Sequence, residues 1–307
     1  MGTEKITRNE VRTALLRSGY LLESRVESFL REAWGYVEAN AAYEDPISSK
    51  SRELDVYAMT AEKGGPEEYD YLFGVLLSEC INNPQPLAFI TKEPLTPFLH
   101  QEDIRLSGLP VKIPEEGHRD SWIGMAEFLT MNKFHHYCKG RVATQFCSFT
   151  QKKSGPEKEW FANHEEPHFD SIRKLCDAVD YFAATHFRNW SFGEKENLNI
   201  QIYYPLLIVQ GELLEVRLSN KGISISESQH IQFRRSTVVG GDELNYQIDV
   251  IQEAYLQRFV EVIDNELNKF ARLLRRRHKI VRNAIDLISK EARKLKSKDE
   301  IRKAMQF

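Results

Sequence analysis

The sequence predicts an α/β fold, a mixed β-sheet flanked by helices, on three observations. Residues 52–60 alternate Leu54, Val56 and Ala58 with Glu53, Asp55 and Tyr57, the period of two expected of a half-buried strand. Residues 69–81 and 199–211 are nearly continuous apolar runs, the pattern of strands buried on both faces. Residues 170–188 place Ile172, Leu175, Cys176, Val179 and Phe182 at steps of three and four, an amphipathic helix.

Taken in order, residues 7–37 read as helix interrupted at Ser18-Gly19, with Thr7 or Asn9 capping the first piece and Ser18 the second. Val26, Phe29, Leu30, Ala33, Trp34 and Val37 form its apolar face. A first strand over 41–47 precedes a hairpin of 52–60 and 69–81, turned by Gly64, Gly65 and Pro66. Residues 93–120, rich in Pro, Gly and charge, read as an irregular connection, and 122–137 as a short helix. Residues 141–150 and 158–162 read as a hairpin about Lys153-Ser154-Gly155-Pro156. Strand 199–211 follows the helix of 170–188, with 212–218 as its continuation or hairpin partner. Residues 230–237 and 246–251 close the sheet around Gly240-Gly241-Asp242. From 252 to 295 neither Gly nor Pro intervenes. There Val260, Ile263, Leu267, Phe270, Leu274, Val281, Ala284 and Ile288 make a heptad-like stripe, broken by Arg277 and Glu291. A bend, a helical hairpin or a homo-oligomer seam fits that stripe. The chain divides into an α/β domain, 1–250, with an insertion at about 93–168, and a long basic helical region, 251–307.

Hydrophobic residues make up 41% of the chain and charged residues 28%, ordinary for a globular protein. No run of about 18 apolar residues suggests a membrane span. The opening MGTEKITRNE has no apolar segment and the four cysteines form no CxxC pair, so a cytoplasmic chain with reduced thiols is expected. The net charge of −3 hides an asymmetry: residues 269–303 hold 14 Lys and Arg against 4 Asp and Glu. That segment reads as a solvated basic surface or as a contact for a nucleic-acid backbone. No Walker A, GxGxxG or GxSxG pattern occurs. Cys138, Cys147, His164 and His168 make a poor zinc set, because eight residues separate the cysteines. His135-His136 at a helix end reads as a partner of the helix dipole. The aromatic run Tyr181, Phe182, Phe187, Trp190 and Phe192 reads as core or as a surface on which bases stack.

The chemistry concentrates on the hairpin. Asp55 in its first strand and Glu79 at the end of its second set two carboxylates beside the core, which is costly without compensation. A divalent cation is one remedy, because Mg²⁺ takes hard oxygen ligands. Solvation at strand ends, or pairing with Arg52 or Lys50, is the other. Glu23, near the start of the helix containing Val26 and Leu30, suits the helix dipole.

Glu23 in GYLLESRVESFL, then RELDVYA, then an apolar strand ending E-C-I-N, together resemble the PD-(D/E)xK nuclease superfamily over about residues 18–92. The segment NNPQPLAFI is similar to the one that follows E-C-K in some bacterial members. The resemblance implies a restriction-endonuclease-like fold, with elements in the order helix, strand, strand, strand, helix, strand, and 93–168 inserted before the second core helix. It implies a metal-dependent phosphodiesterase acting on nucleic acid, DNA foremost. Catalysis would then lie with Glu23, Asp55 and Glu79, and Mg²⁺ or Mn²⁺ with Asp55, Glu79 and the backbone carbonyl of Cys80. One position departs: Ile81 stands where the family has lysine. Residues two apart on a strand share a face, and an isoleucine can neither orient water nor offset charge. Lys92 and Lys50, nearest in sequence, are the expected substitutes. The alternative is a catalytically degenerate nuclease-fold module that binds nucleic acid or a protein partner.

Overall fold

The computed structural model describes residues 5–46, 48–93, 96–115, 117, 121–154, 157–163, 166–188, 196–239 and 242–294. The chain opens with helices α1 (Arg8–Arg17) and α2 (Tyr20–Ala33), then strands β1 (Tyr36–Glu44), β2 (Ser51–Lys63), β3 (Tyr71–Ile81) and β4 (Leu87–Lys92). Short elements follow: α3 (Pro97–Glu102), β5 (Leu106–Leu109), β6 (Lys112–Pro114), β7 (Trp122–Gly124), α4 (Met125–Phe128) and α5 (Met131–Phe134). Hairpin β8 (Val142–Ser154) and β9 (Glu157–Asn163) leads to the long α6 (Glu166–Arg188) and to β10 (Asn199–Val209). Strands β11 (Leu213–Ser219), β12 (Gly222–Glu227), β13 (His230–Val239) and β14 (Asp242–Gln252) precede the last helices, α7 (Leu256–Arg276) and α8 (His278–Ala292).

Twelve strands form one mixed sheet in the order β1-β2-β3-β10-β14-β13-β8-β4-β11-β12, with β5 added on β10 and β9 on β8. β2 pairs antiparallel with β3, as its alternation and turn residues predict. β10 runs parallel to β3 along its full length, from Asn199↔Tyr71 to Val209↔Ile81. Those two strands are the apolar runs of the sequence, and both are buried on both faces. On one face, Leu22, Val26 and Leu30 of α2 and Ile263, Leu267 and Phe270 of α7 pack with Leu72 and Leu76 of β3. On the other, Ile172, Leu175 and Val179 of α6 meet Val75 and Leu77 of β3 and Leu207 of β10. Burying each such aliphatic side chain contributes about 1.5–3 kcal/mol. Helix α7 lies so close over β3 that a Cβ on Gly74 would come 2.6 Å from Leu267 Cδ1.

Several sequence expectations change. Helix ends at Ala33, because Trp34 turns extended (φ −123°, ψ 157°) and its indole donates to Asp264 Oδ1 at 3.2 Å; Tyr36 and Val37 open β1 instead. Gly19, not Ser18, sits at the start of α2, whereas Thr7 caps α1 in a reciprocal box with Glu10. The irregular stretch after 93 carries α3 and β5. The helix expected over 122–137 is split, with extended backbone at Gly124 and left-handed backbone at Thr130 (φ 52°). β11 pairs in parallel with β4 and not with β10. The long C-terminal helix breaks at Arg277 (φ −109°, ψ 22°) into α7 and α8. Its apolar stripe is spent inside the chain: Val260, Ile263, Leu267, Phe270, Leu274, Val281, Ala284 and Ile288 are buried in the α2-side core. Among the described residues, that stripe faces the chain's own core. Part of the basic run is likewise engaged, since Arg275 donates to the Lys63 carbonyl, Arg282 to the Glu196 carbonyl and to Asp70, and Arg277 lies 5.1 Å over the Phe128 ring. The turns at Gly155-Pro156 and Gly240-Gly241, together with Trp190, Phe192 and Leu295, lie outside the described residues. No helix among the described residues is long and apolar enough to cross a membrane.

Candidate functional site

The pairing of β2 with β3 stops at Val56↔Ser78, so the next residues in register are Asp55 and Glu79. There the ladder opens, and Asp55 Oδ2 accepts the Cys80 backbone N–H at 2.7 Å. On the other side of β2 the residue facing Asp55 is Asn40, which is left-handed (φ 52°) between the pairs Ala39↔Val56 and Ala41↔Leu54. The strand rotates across this point: Val56 packs in the α2-side core, Leu54 in the α6-side core. A local irregularity of this kind re-aims a side chain that regular pleating would bury elsewhere.

Glu23 joins from the first turn of α2. A Cβ on Gly19 would lie 3.1 Å from Glu23 Oε1 and 3.4 Å from the Cys80 carbonyl oxygen. The carboxylate and that carbonyl therefore share the small space under the α1–α2 turn, and the glycine keeps it open. Asn82 secures the turn by donating to the Leu16 carbonyl at 2.8 Å. Two residues beyond Glu23, Arg25 grips Glu253 through both carboxylate oxygens at 2.5 and 2.8 Å, tying α2 to the segment that enters α7.

The cation that touches Glu79 comes from neither expected lysine. Lys174 of α6 places Nζ 3.2 Å from Glu79 Oε2, across 95 positions of sequence. Lys92 ends β4, five strands away from β3 in the sheet, and Lys50 is exposed ahead of β2. Arg52 is engaged by Asp45 at 2.8 Å. Glu79 is 2% exposed, and burial, reinforced by the charge of Asp55 and offset by Lys174, pushes its carboxyl up to about 8. Burial also raises Asp55, against the Cys80 N–H and Lys174, and it raises Glu23 together with the Asp55 charge. Glu79 Oε1 is buried with no hydrogen-bond partner among the described residues. An unpartnered buried carboxylate oxygen beside a second carboxylate and a backbone carbonyl suits a hard divalent cation such as Mg²⁺ or Mn²⁺. Asp55, Glu79 and the Cys80 carbonyl oxygen are the donors it would find.

A second polar cluster, missed in the sequence, lies on the α7 side of the sheet. His136 sits between two carboxylates, Nε2 at 2.9 Å from Asp249 and Nδ1 at 3.1 Å from Glu266. His230 Nε2 meets Asp249 at 2.7 Å. Although burial alone would discharge it, the two carboxylates raise His136 to about 10. Burial pushes His135 down to about 4, against the pull of the Glu266 charge. Ligand atoms of His135, His136 and Glu266 gather within 4.8 Å, closer than those of the three acidic residues above. The two imidazoles are nevertheless stacked, centroids 4.8 Å apart and planes 20° apart. Their in-plane lone pairs run side by side, so one ion cannot lie in both ring planes. The cluster is an ion-pair network that joins the segment after α5 to β14 and α7, and not a helix-dipole contact. The legible signal was a polar residue inside each apolar pattern, Asp249 in β14 and Glu266 in the α7 stripe. Residues 164–168, His-Glu-Glu-Pro-His, also spell a helical zinc motif. α6 begins at Glu166, and His164 and Glu165 lie outside the described residues.

No protein-family model, curated protein or solved structure matches this chain.

Proposed function

We propose that the chain is a metal-dependent phosphodiesterase of restriction-endonuclease-like design that cuts nucleic acid, DNA in the first instance. The succession α2, β1, β2, β3, α6, β10, with β3 parallel to β10 and β4–β9 inserted before α6, supports that fold. The observation that carries the function is Glu79: a carboxylate buried opposite Asp55, with one oxygen on Lys174 and the other without a partner. Burying charge in this way is costly and persists where chemistry needs it. Bound by Asp55, Glu79 and the Cys80 carbonyl oxygen, Mg²⁺ or Mn²⁺ would lower the pKa of water and offset charge on phosphoryl oxygens. Glu23, open to the same space, orients water or holds a second ion. The ladder that runs from Lys63↔Tyr71 to Val56↔Ser78 keeps Asp55 and Glu79 on rigid strands, which fixes the donors before substrate arrives.

The test is nicking of supercoiled plasmid in Mn²⁺. Wild type is expected to cut, and Asp55→Ala and Glu79→Ala to lose cutting while keeping a native circular-dichroism spectrum. Equal cutting by Asp55→Ala and wild type would remove this assignment. Ile81 favours a second reading, a degenerate module of the same fold that binds nucleic acid or a protein partner. That reading expects plasmid binding without nicking in either Mg²⁺ or Mn²⁺.

A further inference from the structure

The departure at Ile81 leaves the proposed site short of a cation on the strand, yet the site has one from the helix. Ile81 is half-buried and packs with the α6-side core, on the face of β3 that carries Glu79. Helix α6 lies over that same face and delivers Lys174 to Glu79 Oε2 at 3.2 Å. The backbone at Lys174 is anchored, because the buried Tyr43 donates its hydroxyl to the Lys174 carbonyl at 3.1 Å. The lysine side chain is 31% exposed while that of Glu79 is 3% exposed, so Lys174 is reachable from solvent and Glu79 is not. Its charge acts on Glu23 and Asp55 as well as on Glu79. An ion pair that merely neutralised Glu79 would have no need of that shared position. With all three carboxylates ionised, as a bound cation would require, the one ammonium leaves two negative charges, the complement of one divalent ion.

We propose that Lys174 is the catalytic lysine of this site, supplied by α6 in place of β3. Resting on the phosphodiesterase reading, the step runs as follows. A water oxygen forms a bond to phosphorus, and the bond from phosphorus to one ester oxygen breaks with its electron pair leaving on that oxygen. The water loses a proton to solvent and the departing alkoxide takes one up from solvent. Lys174 keeps its protons throughout, donating hydrogen bonds to the attacking water and to the phosphoryl oxygens as negative charge gathers there.

The experiment compares wild type, Lys174→Met, Lys174→Gln, the double variant Lys174→Met with Ile81→Lys, and Asp55→Ala. Single-turnover plasmid nicking in Mn²⁺ gives the rate, and titration calorimetry with Mn²⁺ alone gives metal affinity. Lys174→Met and Lys174→Gln are expected to cut about 100- to 1,000-fold more slowly, as on removal of one transition-state donor. Their affinity for Mn²⁺ is expected to stay equal or tighten, since a competing positive charge has gone. Recovery of at least about tenfold in the double variant, where the ammonium returns from the strand, supports the same assignment. Cutting by both single variants within about threefold of wild type, with Asp55→Ala inactive, overturns the role of Lys174 and leaves the phosphodiesterase reading standing. Loss of Mn²⁺ affinity in step with loss of cutting makes Lys174 a prop for Glu79 and also overturns it. A wild type that neither binds Mn²⁺ nor cuts overturns both.

Discussion

At the scale of single residues, the site is governed by where charge is permitted. Glu79 is nearly sealed from water, and without metal its proton is held to about pH 8, well above its ordinary range. The sign follows from linkage: the folded state binds the proton more tightly than the unfolded state does, so folding stability falls as pH rises from about 4.5 towards about 8. Glu79→Gln keeps the shape and removes the titration. In EDTA it is expected to flatten that decline and to gain on the order of 1–3 kcal/mol at pH 8, read from urea melts across the window. A slope unchanged from wild type would show that Glu79 is not the group responsible. Lys174 shows the limit of reading chemistry from neighbours in sequence. Lys92 and Lys50 are close along the chain, whereas the residue in contact is 95 positions away.

At the scale of elements, polar side chains fasten pieces that apolar packing only brings near. His136 bridges Asp249 on β14 and Glu266 on α7, and both carboxylates are almost fully buried. Removing the imidazole strands two charges inside the protein, and breaking a buried pair in this way costs about 3–5 kcal/mol. His136→Ala is expected to lose that much at pH 6. Because the folded state raises His136 to about 10, its contribution is complete below about 6.5 and fades as pH rises towards 10. The gap between wild type and variant in denaturant midpoints should therefore narrow with alkali. A gap constant across pH 6–10 would contradict the charged-imidazole account. Elements were legible where period and length agreed: β2 by alternation, β3 and β10 as unbroken apolar runs, α6 by its stripe. The segment over 122–137 was not, because a left-handed Thr130 and an extended Gly124 break it without any Pro to announce them.

At the scale of the whole molecule, the two cores share β3 and β10, and helices α2, α7 and α8 lie in one of them. The C-terminal helices have no separate core of their own. Heating in EDTA is therefore expected to give one transition, with far-ultraviolet circular dichroism and tryptophan fluorescence coincident. Earlier melting of α7 and α8, seen as loss of helix before loss of fluorescence, would show that the shared core does not couple them.

The local pattern of residues by itself determined strands β2, β3 and β10 and helix α6, and that Asp55 and Glu79 end up at one end of a hairpin. These are properties of alternation and turn chemistry within a few residues, and they need no distant partner. Tertiary structure alone decided that β10 lies parallel to β3, that the C-terminal stripe is spent on the chain's own core, and that Lys174 meets Glu79. Each of those depends on a contact between segments tens of residues or more apart, where many pairings satisfy the same local pattern and only packing of the whole sheet selects one.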